Sequence, residues 1–342
     1  MRIRENHSLQ RHNTFGIDVK CRCFFEYKNI SELYQFICSQ PRTMQRLHIG
    51  KGSNLLFLNN FDGIVLRSRI NGVKQLPCEE KDIVRLRVGG GLVWDTFVNR
   101  CIQHGWYGLE NLSLIPGTVG AAAVQNIGAY GAEAGEFIEQ VDCMNLWTGH
   151  RRVFTHDECR YGYRFSVFKT PEMQGQWAVL HVVLRLSKSF LPRLEYGGIR
   201  NELQRQGISE ASLTPEQLRQ TIINVRQSKL PDPKVTGNAG SFFKNPVVSR
   251  EKFEQLASCF PDIPHYDVSP SEVKIPAAWL IEQCGWKGRS QGRVAVHNRQ
   301  PLVLVNLGKA RGEEVRQLAY DIVNDIDRRF GIHLEPEVIF IG

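Results

Sequence analysis

The sequence predicts an α+β protein, with a glycine-rich, strand-dominated amino-terminal part and a smaller, more helical carboxyl-terminal domain. Short aliphatic and β-branched runs stopped by Gly or Asn recur through the first half. Amphipathic helical stripes are sparse there and more frequent after residue 188. Three glycine-rich stretches, 50–57, 89–91 and 115–131, all fall in the first half of the 342 residues.

In chain order, RLHIG (46–50), GIVLRS (63–68) and IVRLRVGGG (83–91) read as strands. Residues 92–104 place Val93, Phe97, Val98, Cys101 and Ile102 on one helical face, with Gly105 to end the helix. WAVLHVVLRL (177–186) alternates Ala178, Leu180, Val182, Leu184 and Leu186 as a long strand does. SKSFLPRLEYGG (187–198) reads as a boundary. It separates a part spanning 13–188, in two lobes of about 1–67 and 68–188, from one spanning 189–342. Beyond it, Thr214 is a natural N-cap with Pro215 at the first helical position. Residues 312–330 carry Val315, Leu318, Ala319, Ile322 and Ile326 on one stripe that Gly331 closes, flanked by strands at 301–307 and 337–342.

The net charge is +8, from 43 Lys and Arg against 35 Asp and Glu, scattered without a basic block. It favours an anionic small molecule, such as a phosphorylated metabolite, over nucleic acid. The nine cysteines are an odd number with no C-x-x-C pair and no zinc-spaced histidines, so we expect reduced, mostly buried thiols and no metal. No signal peptide and no membrane-spanning run is seen, which places the protein in the cytoplasm.

Glycine-rich stretches let a backbone approach a ligand, and their N–H groups can cradle phosphate, although any one alone reads as a tight turn. Gly50-x-Gly52 lacks a third glycine at Leu55, and there is no P-loop, G-x-S-x-G elbow or H-E-x-x-H helix. In ECRYGYRFSVFK (158–169), Arg164 between Tyr163 and Phe165 can offer a planar guanidinium to a carboxylate or can merely cover aromatic surface. KLPDPKVTGNAGSFFKNP (229–246) is a proline-stiffened polar segment in which Ser241 is either reactive or a turn residue. In LEPEV (334–338), Glu335 and Glu337 point to one face of an extended chain, and spacing does not say which is functional.

Taken together, NTFGID (13–18), GKGSNLLF (50–57), LIPGTVGAAAVQNIGAYG (114–131), CRYGYRFSVFK (159–169), LEYGG (194–198), KLPDPKVTGNAGSFFKNP, AAWLIEQCGWKG (277–288) and LEPEV run collinearly over nearly the whole chain. In these motifs the chain resembles the UDP-N-acetylenolpyruvoylglucosamine reductase (MurB) family, in the subtype with a tyrosine on a substrate loop. The resemblance implies an FAD-binding domain of the vanillyl-alcohol-oxidase (PCMH) type and a carboxyl-terminal substrate domain whose last strand returns to the flavin domain. It implies noncovalent FAD, NADPH as co-substrate, a UDP-sugar substrate and a monomer acting in peptidoglycan precursor synthesis. Carried over by motif, Ser241 is the proton donor, with Arg164 and Glu337 as its catalytic partners. The flavin set is Gly50, Gly52, Ser53, Asn54, Pro116, Gly117, Thr118, Gly120, Ala121, Ala122, Asn126, Gly128 and Tyr130. Tyr163, Tyr196, Lys229 and Asn245 meet the substrate.

Many relatives carry serines or glycines at Ala121 and Ala122, Glu at Lys51 and Asp at Phe165. The resemblance therefore leaves the flavin pyrophosphate to the backbone N–H groups of residues 117–122. Hydride arriving at the enolpyruvyl β-carbon leaves charge on the adjacent carboxylate, which Arg164 can neutralise with a bidentate pair. A protonated Glu337 can donate to the same group, and to stay protonated near neutral pH it must be desolvated, so we expect it buried. A rival reading is another flavin-dependent oxidoreductase of the same fold acting on an alcohol or hydroxy acid. A second is a non-catalytic basic binding module.

Overall fold

The computed structural model describes residues 3–196 and 198–342; Met1, Arg2 and Gly197, the last within the LEYGG motif, lie outside the described residues. Two compact units interleave along the chain. The first gathers Met1–His7, Cys21–Lys51 and Asp62–Ser228, and the second Ser8–Lys20, Gly52–Phe61 and Lys229–Gly342. The expected parts 13–188 and 189–342 differ from these units in that residues 13–20 and 52–61 pack with the second and 189–228 with the first.

In the first unit, one sheet runs in the order Ile3–Ser8, Lys20–Tyr27, Phe61–Ser68, Gln45–Ile49. Gln45–Ile49 is parallel to Phe61–Ser68, with Leu47 opposite Val65. Helix Ile30–Ser39, capped by the Asn29 side chain on the Glu32 N–H, buries Leu33, Phe36 and Ile37 against it. A second sheet runs Arg151–Thr155, Ile138–Asn145, Trp177–Ser187, Ile83–Gly89, Val73–Leu76. The alternation expected in 177–186 is replaced by burial on both faces. Ala178 and Leu180 join the core under the first sheet, whereas Val179, Val182, Leu184 and Leu186 join the core under the second. That second core takes the stripe of helix Trp94–Gln103, including Phe97, Val98, Cys101 and Ile102. The helix ends at Gly105 with φ 70°, as its sequence position requires.

The region 189–228 joins this unit through helix Pro215–Lys229. Thr214 Oγ1 accepts from the Gln217 N–H as its cap. Leu218 and Ile222 pack with Leu194, Ile199 and Leu203, and Arg219 pairs with Asp95 through its two terminal guanidinium nitrogens at 2.7 and 2.9 Å.

The second unit is built on a sheet ordered Gly237–Ser241, Val303–Asn306, Val294–Val296, Ser290–Gln291, with helix Gly312–Phe330 beside it. That helix buries Val315, Leu318, Ala319, Ile322 and Ile326 and ends at Gly331 with φ 60°. Strand Ile339–Ile341 lies parallel to Leu55–Phe57. The nine cysteines are free thiols, but only Cys21, Cys101, Cys143 and Cys159 are fully buried, fewer than expected. No helix among the described residues is long and apolar enough to cross a membrane.

Candidate active site

In the first unit the site grows around a tight turn. Gly162 and Phe165 exchange backbone hydrogen bonds at 3.2 and 2.9 Å, which places Arg164 at its corner with φ 53°. The guanidinium of Arg164 donates through Nη2 to the Gly128 carbonyl at 2.7 Å and lies 5.5 Å from the Tyr163 ring. Tyr163 is 41 % exposed. Lys169 Nζ donates to the Arg164 carbonyl at 2.7 Å, so the last lysine of CRYGYRFSVFK braces the turn.

Asn126 closes helix Val119–Gln125 in the left-handed region and is 1 % exposed. Both hydrogens of its amide are committed within the protein, to Glu133 and to the Gly162 carbonyl. Tyr130, also left-handed, has its carbonyl held by Asn111 at 2.7 Å. Tyr196 is half exposed, and its ring lies against Gly131 so closely that a Cβ there would stand 2.7 Å from it.

Gly50 sits against Thr118 and Ala121; a Cβ on it would come within 3.0 Å of Thr118 Oγ1. Thr118 Oγ1 accepts from the Ala121 N–H at 3.3 Å. The expectation that backbone N–H groups of 117–122 hold phosphate needs correction for most of them. Those of Val119, Gly120 and Ala122 donate to the carbonyls of Leu92, Gly90 and Thr118. Gly120 is glycine because a Cβ would meet the Gly90 carbonyl at 3.0 Å and Val179 at 3.1 Å. Among the described residues, the N–H groups of Gly117 and Thr118, after Pro116, have no backbone acceptor. His48, just before this loop, has Nε2 2.7 Å from the buried Tyr27 hydroxyl, and burial pushes its pKa down to about 4.

Sequence reasoning missed Arg226. Its Nε is buried and has no hydrogen-bond partner among the described residues. Burial and the like charge of Arg164 push its pKa down, while Tyr130 and Asp95 pull it up. In the sequence it is the second of two arginines in the helix ahead of KLPDP, indistinguishable from a surface residue.

In the second unit, Asn13 organises the NTFGID loop: its amide donates to the Leu9 and Ile17 carbonyls and accepts from the Ile17 N–H. Gly52 lies beneath that loop with φ 66°, and a Cβ on it would stand 2.0 Å from the His12 carbonyl oxygen. Ser53 follows, and Asn54 Nδ2 donates to the Glu337 carbonyl at 3.1 Å.

Ser241 ends strand Gly237–Ser241, opposite Val303, and its side chain is exposed. Phe242 and Phe243 behind it are 0 and 1 % exposed, with their rings edge to face at 5.1 Å. The acidic segment zips onto this stretch: Lys244 N–H donates to the Glu335 carbonyl at 3.0 Å and Glu337 N–H to the Phe242 carbonyl at 2.8 Å.

The two glutamates then divide. Glu335 pairs with Lys244 Nζ at 2.8 Å, and that hydrogen bond and charge hold its carboxyl below the usual range. Glu337 is half-buried rather than buried as expected, like Pro336 before it and Ile339 beyond it. Asn245 Oδ1 accepts from the Ala277 N–H at the start of helix Ala277–Gln283. Lys229 is exposed at the end of its helix. The structure thus brings Ser241, Glu337, Asn54 and Gly52 together in one unit and Arg164, Gly128, Asn126, Tyr130 and Tyr163 in the other. No group of three or more His, Cys, Asp or Glu suited to a metal occurs among the described residues.

Residues 27–155 match a sequence model described as FAD binding domain, and residues 232–341 one described as UDP-N-acetylenolpyruvoylglucosamine reductase, C-terminal domain. The UDP-N-acetylenolpyruvoylglucosamine reductase of Bacteroides fragilis (strain YCH46) is 49 % identical over 339 residues, 99 % of this chain and 100 % of that one. The protein of the same name from Porphyromonas gingivalis (strain ATCC 33277) is 46 % identical over 344 residues, covering both chains entirely. The crystal structure of the Thermus caldophilus enzyme titled UDP-N-acetylenolpyruvylglucosamine reductase (MurB) superposes with a TM-score of 0.68 at 22 % identity, over 100 % of both chains. At that identity the likeness speaks for the fold.

Proposed function

We propose, for a chain that belongs to the UDP-N-acetylenolpyruvoylglucosamine reductase family, that it reduces UDP-N-acetylglucosamine enolpyruvate to UDP-N-acetylmuramate with NADPH, as a cytoplasmic monomer. Its FAD-binding domain makes it a flavin-dependent oxidoreductase of peptidoglycan precursor synthesis. The residues present fit that cofactor. Gly50 lies against Thr118, where a Cβ would come within 3.0 Å of its Oγ1, and the buried Nε of Arg226, without a hydrogen-bond partner among the described residues, suits an anionic or carbonyl oxygen. Gly50, Gly52, Ser53, Asn54, Gly117, Thr118, Gly128 and Tyr130 would hold it. Pro116, Gly120, Ala121 and Ala122 shape the loop. Bound FAD supplies the relay of hydride from NADPH to the enolpyruvyl β-carbon.

The protein's part is electrostatic and acid–base. Arg164 pairs with the substrate carboxylate as it takes on enolate charge. Glu337 donates a hydrogen bond to the same group, and Ser241 delivers the proton to the α-carbon. Lys244, the lysine of this segment, pairs with Glu335. Tyr163, Tyr196, Lys229 and Asn245 bind the diphosphate and sugar.

What supports this reading most is the zipper that sets Glu337 beside the Ser241 strand while Lys244 takes up Glu335. The test is anaerobic. The purified protein should carry FAD, lose its flavin absorbance on NADPH addition, and regain it on addition of UDP-N-acetylglucosamine enolpyruvate, with a product heavier by two hydrogens. Flavin that NADPH reduces and this substrate leaves reduced would refute it in favour of another oxidoreductase.

A further inference from the structure

Asn126, 1 % exposed, is a buried polar side chain beside the turn that carries Arg164, and the reaction as proposed gives it nothing to do. Its orientation is unambiguous, since the Glu133 carboxylate and the Gly162 carbonyl can only accept and the Gly135 N–H can only donate. One Nδ2 hydrogen goes to Gly162, at the base of the turn that carries Arg164, at 2.7 Å. The other goes to Glu133 Oε2 at 2.7 Å, and Oδ1 receives the Gly135 N–H at 2.8 Å. Glu133 is paired across a two-stranded ribbon with Gly128, the residue whose carbonyl receives the Arg164 guanidinium. A single amide therefore sets the spacing between the backbone that carries the arginine and the backbone its guanidinium touches.

We propose that Asn126 is a positioning residue for Arg164: it acts on the substrate half of the reaction by holding the Gly162–Phe165 turn in register with the Gly128–Glu133 ribbon, and not by contact with the flavin. This rests on the assignment of Arg164 to the enolate. The residue type follows from the geometry. Asparagine tolerates the left-handed φ of 45° and offers two donors and an acceptor on one short stem. Aspartate would fit the space and keep the Gly135 bond, but it has no hydrogen for Gly162 and faces the Glu133 carboxylate.

The test uses the full-length FAD-loaded protein with Asn126→Asp, Arg164→Ala and the double variant, each half-reaction being followed by stopped flow. N126D should retain flavin and NADPH reduction within about twofold, while reoxidation by UDP-N-acetylglucosamine enolpyruvate slows roughly ten- to hundredfold, the range of couplings within one hydrogen-bond network, with KM little changed. In the Arg164→Ala background, N126D should add less than about twofold. Equal loss in both half-reactions, no loss in reoxidation, or full additivity overturns the proposal. If N126D loses its flavin, Asn126→Gly, which suits the left-handed backbone without strain, is carried through the same cycle with the same outcomes. An Arg164→Ala variant that reoxidises normally would instead overturn the assignment of Arg164 itself.

Discussion

The backbone N–H of Glu337 donates to the carbonyl of Phe242 at 2.8 Å, so the acidic segment is fastened one residue beyond Ser241. With Phe242 and Phe243 both buried behind the exposed serine, the position of Ser241 is set by a packed core and not by loop conformation. Ser241 and Glu337 are thus held by one framework.

Ser241→Ala should leave reduction of the flavin by NADPH nearly intact and slow its reoxidation by substrate by about 10²–10⁴, the usual contribution of a positioned acid. Stopped-flow rates for the two half-reactions decide it. An equal loss in both would remove Ser241 from the role of proton donor.

Arg164→Lys keeps the charge and loses the planar fork. Turnover should fall roughly a hundredfold or more, on the scale of removing one oxyanion donor. Unchanged steady-state turnover would move the enolate duty elsewhere, with Arg226 the next residue to substitute.

The division between the two glutamates can be tested directly. Glu335 is an exposed partner of Lys244, so Glu335→Gln should change stability by no more than about 1 kcal/mol and leave turnover essentially unaltered. Glu337→Gln keeps an N–H donor and Glu337→Ala keeps none. Activity should therefore rank wild type, then Glu337→Gln, then Glu337→Ala, the last down about a hundredfold. A reversed ranking of Glu335 and Glu337 variants would exchange their roles.

Gly52→Ala places a methyl 2.0 Å from the His12 carbonyl oxygen in a left-handed backbone. Strain of about 1–2 kcal/mol and overpacking of about 1–3 kcal/mol both act. Gly207→Ala, left-handed with nothing within 4 Å, should cost only the strain. Thermal unfolding of the two variants side by side checks the contrast.

Asp142 is the buried charge on which acid stability should turn. Burial alone would raise its pKa, but His181, Arg151 and Arg87 together pull it well below the usual carboxylate range. A depressed folded-state pKa stabilises the fold at neutral pH, and that contribution fades as pH drops below about 4. Asp142→Asn should lower stability by about 1–3 kcal/mol at pH 7, less than a fully buried pair because both arginines face solvent. The gap to wild type should narrow with acid; denaturant midpoints across pH would expose a gap that stays constant.

The sequence made periodic elements legible. Residues 312–330 hold a clean apolar stripe with a terminal glycine, and the helix is Gly312–Phe330. Thr214–Pro215 marks a helix start because capping is a local matter. What stayed hidden depends on partners far along the chain. Glu335 could not be told from Glu337 until Lys244 was seen to pair with one of them. Asn126 looked like a ligand residue because nothing local shows that Glu133 and Gly162 use its amide. Arg226 reads in the sequence like any surface arginine of its helix, because its burial comes from tertiary packing. Trp177–Ser187 broke its alternation because it serves two cores at once, which no single-strand pattern records.

The pairing of Leu55–Phe57 with Ile339–Ile341 has a bearing on how the protein is made. Asn54 waits for a partner 283 positions downstream, at Glu337. A nascent chain emerging from the ribosome therefore carries 55–57 as an open β-edge through most of its synthesis, an apolar edge that invites mispairing. The Leu55–Phe57 pairing forms only when residues 339–341 arrive, so no partly synthesised chain can hold Ser241 and Glu337 in this arrangement.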